Sequence, residues 1–327
     1  MAGHRLQPTP VFETYWRFAA ARQEVYQARL RGDPRPWTTD PIMASYRFTN
    51  CYRASDRVSQ YLINRVIYRG SRDPDEVLFR ILLFRFFNRV STWELLQAAF
   101  GDLAGGTFRL DRYDEVLNER LLAASESTRP PMSSLPRRWA PSGSTRIICC
   151  CCRGCCATGC VPNSRQVRLW RKDSGPYAYP GIGDFLAFQL IIDINYSILI
   201  NFDEMDFVVP GPGANDGICK CFGPSSRGIE AEIIRYMSDS QSEHFGRLGL
   251  GFPGLNGRRL QLIDCQNLFC EVDKYARLAY PEITGYSGRT RIKQRYAPTD
   301  QAVTSWFPPK WGINGSRTRI PAAADHY

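Results

Sequence analysis

The sequence predicts an all-α protein, and three observations predict it. Apolar residues recur at three- and four-residue spacing along most of the chain. Acidic or hydroxyl residues followed by Glu, sometimes with Pro between them, stand where such segments begin. Short Gly/Pro turns join one segment to the next.

At 327 residues and 43% hydrophobic, the chain can build one large domain or two small ones around a real core, which excludes a disordered protein. The formal net charge of +10 comes mostly from arginine and favours a polyanionic partner, because a guanidinium contacts phosphate through two parallel hydrogen bonds. The N-terminus lacks the apolar core of a signal peptide, and the most apolar run, 77–90, is broken by Arg80 and Arg85 and is too short to cross a bilayer. No membrane partner and an intracellular, reducing location are expected, nuclear if the source is eukaryotic. Of twelve cysteines, seven crowd into CCCCRGCCATGC (149–160), too close together for the spaced pairs of a zinc ribbon. Cys51, Cys219, Cys221, Cys265 and Cys270 sit in patterned segments and read as small core residues, so no metal site is expected.

In chain order, 12–30 (FETYWRFAAARQEVYQARL) is an aromatic amphipathic helix closed by Gly32-Asp33-Pro34. Residues 48–68 read as a helix with Asn50, Arg53, Arg57, Gln60 and Asn64 along one face, either a phosphate-gripping stripe or a solvated surface. Asp73-Pro74-Asp75-Glu76 opens the next helix, with Asp73 as N-cap, Pro74 at the first helical position and Glu76 completing a capping box. It is apolar almost all round and therefore central. Ser91-Thr92-Trp93-Glu94 repeats the box for a helix closing at Gly101, and Asp111 caps another ending near Ala124.

Residues 125–172 are rich in Ser, Pro, Arg and Cys, hold no period, and read as an irregular insert, disordered or mistranslated. Order returns with YPGIGDFLAFQLIIDINYSILINFDEMDFVVPGPGANDGICKC (179–221), where the chemistry is densest. The Gly181-Ile182-Gly183 turn enters a predicted helix over 184–201, the setting in which free amides at a helix N-terminus favour an anion such as a DNA phosphate. Asp203 and Asp206 follow, then the turn Gly211-Pro212-Gly213 with Asn215 and Asp216. This is a helix-hairpin-helix pattern with acids beside it. Further on, 229–237 reads as a modest helix between glycine-rich loops. In RRLQLIDCQNLFCEVDKYARLAY (258–280), Asp264 reads as N-cap, and Asn267, Glu271 and Lys274 share one face. Glu271 or Asp264 would orient a ligand there and Lys274 hold a phosphate; equally, Glu271 and Lys274 would make a surface ion pair worth a few tenths of a kcal/mol. The tail interleaves Arg289, Arg291, Lys293 and Arg295 with Trp306 and Trp311, as nucleic-acid arms do, or as a strap that packs its tryptophans on the core.

Five blocks carry a family resemblance: RFTNCYRASDRVSQYLI (47–63), FRILLFRFFNRVSTWE (79–94), PGIGDFLAFQLIIDINYS (180–197), FVVPGPGANDGI (207–218) and LIDCQNLFCEVDKYAR (262–277). They resemble the helical domain of 5-hydroxymethyluracil (5-hmdU) DNA kinases, a group related to the alpha-glutamyl/putrescinyl thymine pyrophosphorylases. The resemblance divides the chain into 11–124, the insert 125–172, 177–311 and a tail 312–327. It implies a helix-hairpin-helix, DNA-glycosylase-like domain that engages a flipped 5-hydroxymethyl pyrimidine, with DNA carrying modified pyrimidines as partner. Transferase chemistry on the base would follow: phosphorylation of the hydroxyl, then attack on the activated carbon.

On that reading Gly181, Gly183, Asn50, Arg53 and Arg57 contact DNA, and Asn215, Asn267 and Asp264 line the base pocket. Asp206, Asp216, Glu271 and Lys274 carry the chemistry, Asp206 as base or charge stabiliser and Lys274 at a phosphate leaving group. No G-x-x-x-x-G-K-[ST] occurs, and 213–220 (GANDGICK) is only superficially like one, so no recognisable motif binds a cofactor. Two other readings are a non-catalytic DNA-reading module that recruits a separate kinase or oxygenase, and a base-excising glycosylase.

Overall fold

A computed structural model describes residues 6–127, 183–298, 303 and 305–315. Among the described residues the chain is helical with no strand; the only β-type pairings are the isolated bridges Tyr46–Arg295 and Leu255–Arg258. No helix among them is long and apolar enough to cross a membrane. The chain forms two compact units, one from Met1–Ser59 with Asp203–Pro321, the other from Gln60–Phe202 with Ala322–Tyr327.

The first unit is organised on two helices held unusually close. We number helices in chain order: α1 (Pro10–Arg31), α2 (Pro41–Ser45), α3 (Arg57–Tyr61), α4 (Pro74–Phe87), α5 (Val90–Phe100), α6 (Leu110–Ser127), α7 (Asp184–Asn195), α8 (Pro212–Phe222), α9 (Glu230–Asp239), α10 (Gln241–Arg247) and α11 (Leu262–Ala279). Helix α8 lies on α11 through a small-residue stripe. A Cβ added to Gly217 would stand 2.1 Å from the carbonyl oxygen of Phe269, and one on Gly213 would stand 3.1 Å from Cys270 Sγ. Only glycine lets the two backbones approach so far. Helix α1 packs on both helices with Tyr15, Trp16 and Phe18, all buried. Its start is tied to the end of α8: Thr9 caps α1 by accepting from Val11 N, while its own N–H and hydroxyl donate to the carbonyls of Cys221 and Lys220. Gly32, at φ 75°, ends the helix in the left-handed conformation that glycine takes without strain.

In the second unit α4 is the centre. Val77 through Phe84 are buried without interruption, as the all-round apolar pattern predicts. Asp73 caps it by accepting from Asp75 N and Glu76 N. The Glu76 carboxylate does not close the capping box; it accepts from Gly105 N at 2.8 Å and so ties the α5–α6 connection to α4. Helix α7 packs on α4, and Arg85 of α4 pairs with the fully buried Asp193 of α7.

Several predicted boundaries move, each for a local reason. Residues 48–68 are not one helix. Asn50 N donates to Asp56, the Asn50 side chain donates to Ser55 O, and Arg22 donates to the carbonyls of Phe48 and Thr49 and to Asn50 Oδ1. These bonds hold 48–56 as a loop with a 3₁₀ turn, leaving the short α3 and a π-helical turn over Leu62–Ile67. The predicted polar stripe from Asn50 to Asn64 therefore does not exist as one helix face. Helix α5 starts at Val90, one residue ahead of the Ser91 box, and α6 starts at Leu110, placing Asp111 in its first turn. Helix α7 stops at Asn195 rather than 201 because the Asn195 side chain bonds both backbone groups of Phe202 and turns the chain back. At α11 the N-cap is Gln261; Asp264 sits three residues in and closes a capping box with it. The predicted insert 125–172 lies outside the described residues except for 125–127, which end α6.

Candidate functional site

Four acids were expected near the reacting base, and the fold places them in two kinds of environment. Three are buried and tied to backbone N–H groups. Asp216, on α8, accepts from Ser287 N at 2.8 Å and from the Ser287 hydroxyl, and a Cβ on Gly285 would collide with it at 2.8 Å. Glu271 accepts from Thr49 N at 3.1 Å and pairs with Lys274 at 2.6 Å. Asp264 accepts from Arg53 N at 2.8 Å and Gln261 N at 3.0 Å. Asp206 differs: its side chain is exposed, in a turn closed by its own N–H on Asp203 O, and Arg235 donates to its backbone carbonyl.

The remaining expected residues also divide. Arg53 is 8% exposed, so its side chain is no surface clamp; Arg57, four residues on, is exposed. Asn50 spends its side chain on Arg22 and Ser55 O inside the loop. Asn215 is half-buried on the first turns of α8, and its Oδ1 has no hydrogen-bond partner in the protein. Asn267 is half-buried on α11. Lys274 lies over the Phe48 ring at 5.8 Å as well as on Glu271, so the ion pair forms, but Glu271 is buried and the pair is not an exposed one. Gly183 is the exposed N-cap of α7, in the second unit, with no side chain bonded to the helix start; Gly181 and Ile182 lie outside the described residues.

Residues 213–220 are helical throughout, in α8. The lysine that would stand for a phosphate-loop lysine, Lys220, is 1% exposed, paired with Asp273 Oδ1 at 3.0 Å and donating to Asp273 O. Asp273 also pairs with Arg277 one turn along. This buried triad joins α8 to α11 and is spent on structure.

Sequence reasoning missed a second carboxylate beside Asp264. Glu204 is buried, pairs through Oε2 with Arg258 at 3.1 Å, and leaves Oε1 without a hydrogen-bond partner. Arg258 in turn lies over the Trp311 ring at 4.1 Å. Burial raises the Glu204 pKa, against the pull of Arg258. Burial, then the Glu204 charge, pushes Asp264 up to about 7. Asp264 so placed can hold a proton near neutral pH, the capacity that general acid–base chemistry uses. In the run Asp203-Glu204-Met205-Asp206 no period distinguishes the buried acid from the exposed ones, so nothing in the sequence could have picked out Glu204.

The basic strap is the clearest charged surface of the first unit. Arg289, Arg291, Lys293 and Arg295 are all exposed. Their backbone is fixed: Arg47 N donates to Gln294 O, Tyr296 N to Ser45 O, and Arg277 to Arg291 O. Trp306 and Phe307, further along, are buried at 3% exposure each. The strap reading thus holds for Trp306, which is packed in, while Trp311 is half-buried under Arg258 and the four bases face out. The five cysteines expected in the core are free thiols, four of them buried and Cys270 half-buried. Among the described residues no cluster of three His, Cys, Asp or Glu could hold a metal ion.

Comparison with known families matches residues 9–126 and 177–285 to the family described as 5-hmdU DNA kinase, helical domain. The chain belongs to this family. A 5-hmdU DNA kinase of Bacillus phage SP10 is 25% identical to it over 295 residues, 81% of this chain and 45% of the relative. The chain thus spans under half the length of that curated relative. No solved structure matches it. The family's matched segments contain α1 through most of α6, and then α7 through α11, so they supply the helices of both compact units.

Proposed function

We propose that this 5-hmdU DNA kinase helical-domain protein engages DNA carrying a 5-hydroxymethyl pyrimidine and takes part in modifying that base. The observation that carries the reading is the family match across both halves of the chain, together with the phage relative whose name is 5-hmdU DNA kinase. The strap supports it: four exposed cations on a backbone already pinned form a track that suits a phosphate chain. In this reading the strap and Arg57 of the first unit neutralise the strand. The target base leaves the stack as in other base-modifying enzymes. Asp206, the exposed member of the four expected acids, takes a proton from the attacking group or stabilises charge at the exocyclic methylene. Asn215, with its unpartnered Oδ1, reads the base edge.

Incubation with a hydroxymethyluracil duplex, with and without ATP and an amine, followed by mass spectrometry of the nucleosides, tests this directly. A new base mass is the expected product. Asp206→Asn should abolish it while DNA affinity stays within about twofold, since the carboxylate is asked to act on the reacting group rather than on the strand. A second reading, a non-catalytic module that recruits a separate kinase or oxygenase, draws on the burial of Asp216, Glu271 and Asp264 against backbone amides. It predicts preferential binding of the modified duplex with no change in mass; an abasic site would instead make the protein a glycosylase.

A further inference from the structure

The first unit carries a cleft of about 1030 Å³ that none of the expected site residues lines. Its floor is apolar, formed by Phe12, Phe222 and Ile233, all buried. Two half-buried tyrosines stand in its wall, and each is held by its hydroxyl: Tyr236 OH bonds His244 Nε2 at 3.0 Å, and Tyr280 OH bonds Thr14 Oγ1 at 2.8 Å. Anchoring the hydroxyls fixes the rings, so a flat ligand meets aromatic surfaces that lose little freedom on binding. His244 is stacked on Trp16 at 5.0 Å and edge-on to Phe12 at 5.1 Å. It is 7% exposed, and its Nδ1 has no hydrogen-bond partner among the described residues. Burial and the nearby Arg247 charge keep this ring toward its neutral form, which suits it to exchange hydrogen bonds with an uncharged heterocycle.

The remaining polar lining fixes the charge. Arg247 is paired with Glu13 at 2.9 Å, whereas Arg17 is exposed and has no ion pair among the described residues. An apolar floor, fixed aromatic walls, a buried ring nitrogen without a partner among the described residues and the exposed Arg17 guanidinium are together the groups that grip a nucleobase bearing a phosphate. A lipid would leave the His244–Tyr236 pair and Arg17 without use. We infer that this cleft binds a nucleotide, its base between the tyrosine walls and its phosphate on Arg17. The ligand is either a free mononucleotide or one nucleotide of a strand. The inference stands apart from the DNA-modification reading, since it rests on the cleft alone.

The test titrates 5-hydroxymethyl-dUMP and the matching nucleoside into the full chain, following heat or the fluorescence of Trp16 beneath the floor. The monophosphate is expected to bind. Arg17→Gln should weaken the monophosphate by roughly tenfold, the value of one charge-assisted hydrogen bond, and leave the nucleoside unchanged. Tyr236→Ala should weaken both. Arg17 is exposed and Tyr236 half-buried, and unchanged melting of each variant confirms that binding and not folding is being read. Absence of monophosphate binding, or variants that bind it as the parent does, overturns the inference. An oligonucleotide that competes with the monophosphate and is weakened by Tyr236→Ala identifies the strand as the source. One that binds without competing assigns the cleft to the free nucleotide. Loss of preference for hydroxymethylated duplex, with monophosphate binding intact, removes the DNA-modification reading and leaves the cleft standing.

Discussion

The two compact units solve the burial of charge differently. In the second, α4 is apolar almost all round, its buried Arg80 donates to the carbonyls of Val66 and Ser71, and the buried Arg85–Asp193 pair joins it to α7. In the first, α8 and α11 meet through glycines, and charged side chains are buried around that crossing beside the aromatic residues of α1: Lys220, Asp273 and Arg277 at the crossing, then Asp216 and Asp264 on backbone amides and Glu204 on Arg258. Buried charges there need their partners, so part of the specificity is carried by hydrogen bonds and ion pairs. A hydrophobic helix core tolerates change in shape; a polar one depends on every partner being present.

The sharpest way to break this contrast is at the crossing. Gly217→Val should prevent the first unit from folding or cost more than about 3 kcal/mol, because the new Cβ meets a backbone carbonyl that cannot move alone. Gly246→Ala, in α10 with nothing within 4 Å of its Cβ, should be neutral or stabilising by about 0.5 kcal/mol. Urea melts of the two decide whether glycine is needed for approach or merely tolerated. Arg85→Leu ranks next, at about 3 kcal/mol, because Asp193 has no exposure through which to be solvated. Lys220→Met should cost less, about 2 kcal/mol, since Arg277 stays on Asp273. Equal losses would mean that the triad is no more redundant than the single pair.

A smaller effect follows from the acid pair. Asp264 titrates at about 7 in the folded chain against an ordinary 3.8, so the folded state holds a proton that the unfolded state has released. Stability contributed by this group is complete at low pH and falls as pH rises from about 4 to 7, by at most about 1.4 kcal/mol per pH unit. Asp264→Asn should flatten that part of the curve in melts recorded from pH 4 to 8. The smallest change in stability is expected on the strap. Arg291→Gln and Lys293→Gln should leave melting unmoved, yet each lowers the salt dependence of DNA binding by about one unit of slope. A slope equal to that of the parent would show that the strand runs elsewhere.

The contrast between the units also marks what could be read from sequence. The all-helical fold, the Asp73-Pro74 start and the central place of α4 were legible because apolar period and capping chemistry act within one turn of the chain. The helix predicted over 48–68 was not, because Asn50 and Asp56 offer the backbone a competing set of hydrogen bonds that depends on Arg22 arriving from α1. Site residues were legible as types but not as environments. Asp206 and Glu204 stand two apart in one acidic run, and only tertiary packing makes one exposed and the other buried. The cleft residues come from both ends of the chain, with Phe12 and Arg17 on α1 and Tyr236, His244 and Tyr280 far along it. No spacing in the sequence could have joined them.

The placement of the thiols gives the protein a built-in probe. Cys51, Cys219, Cys221, Cys265 and Cys270 all belong to the first unit, and 60–127 and 183–202, the described stretches of the second, contain no cysteine. Alkylation followed on the peptides that carry these five cysteines would therefore time the opening of the glycine-bound first unit, read separately from the cysteine-rich peptide 149–160.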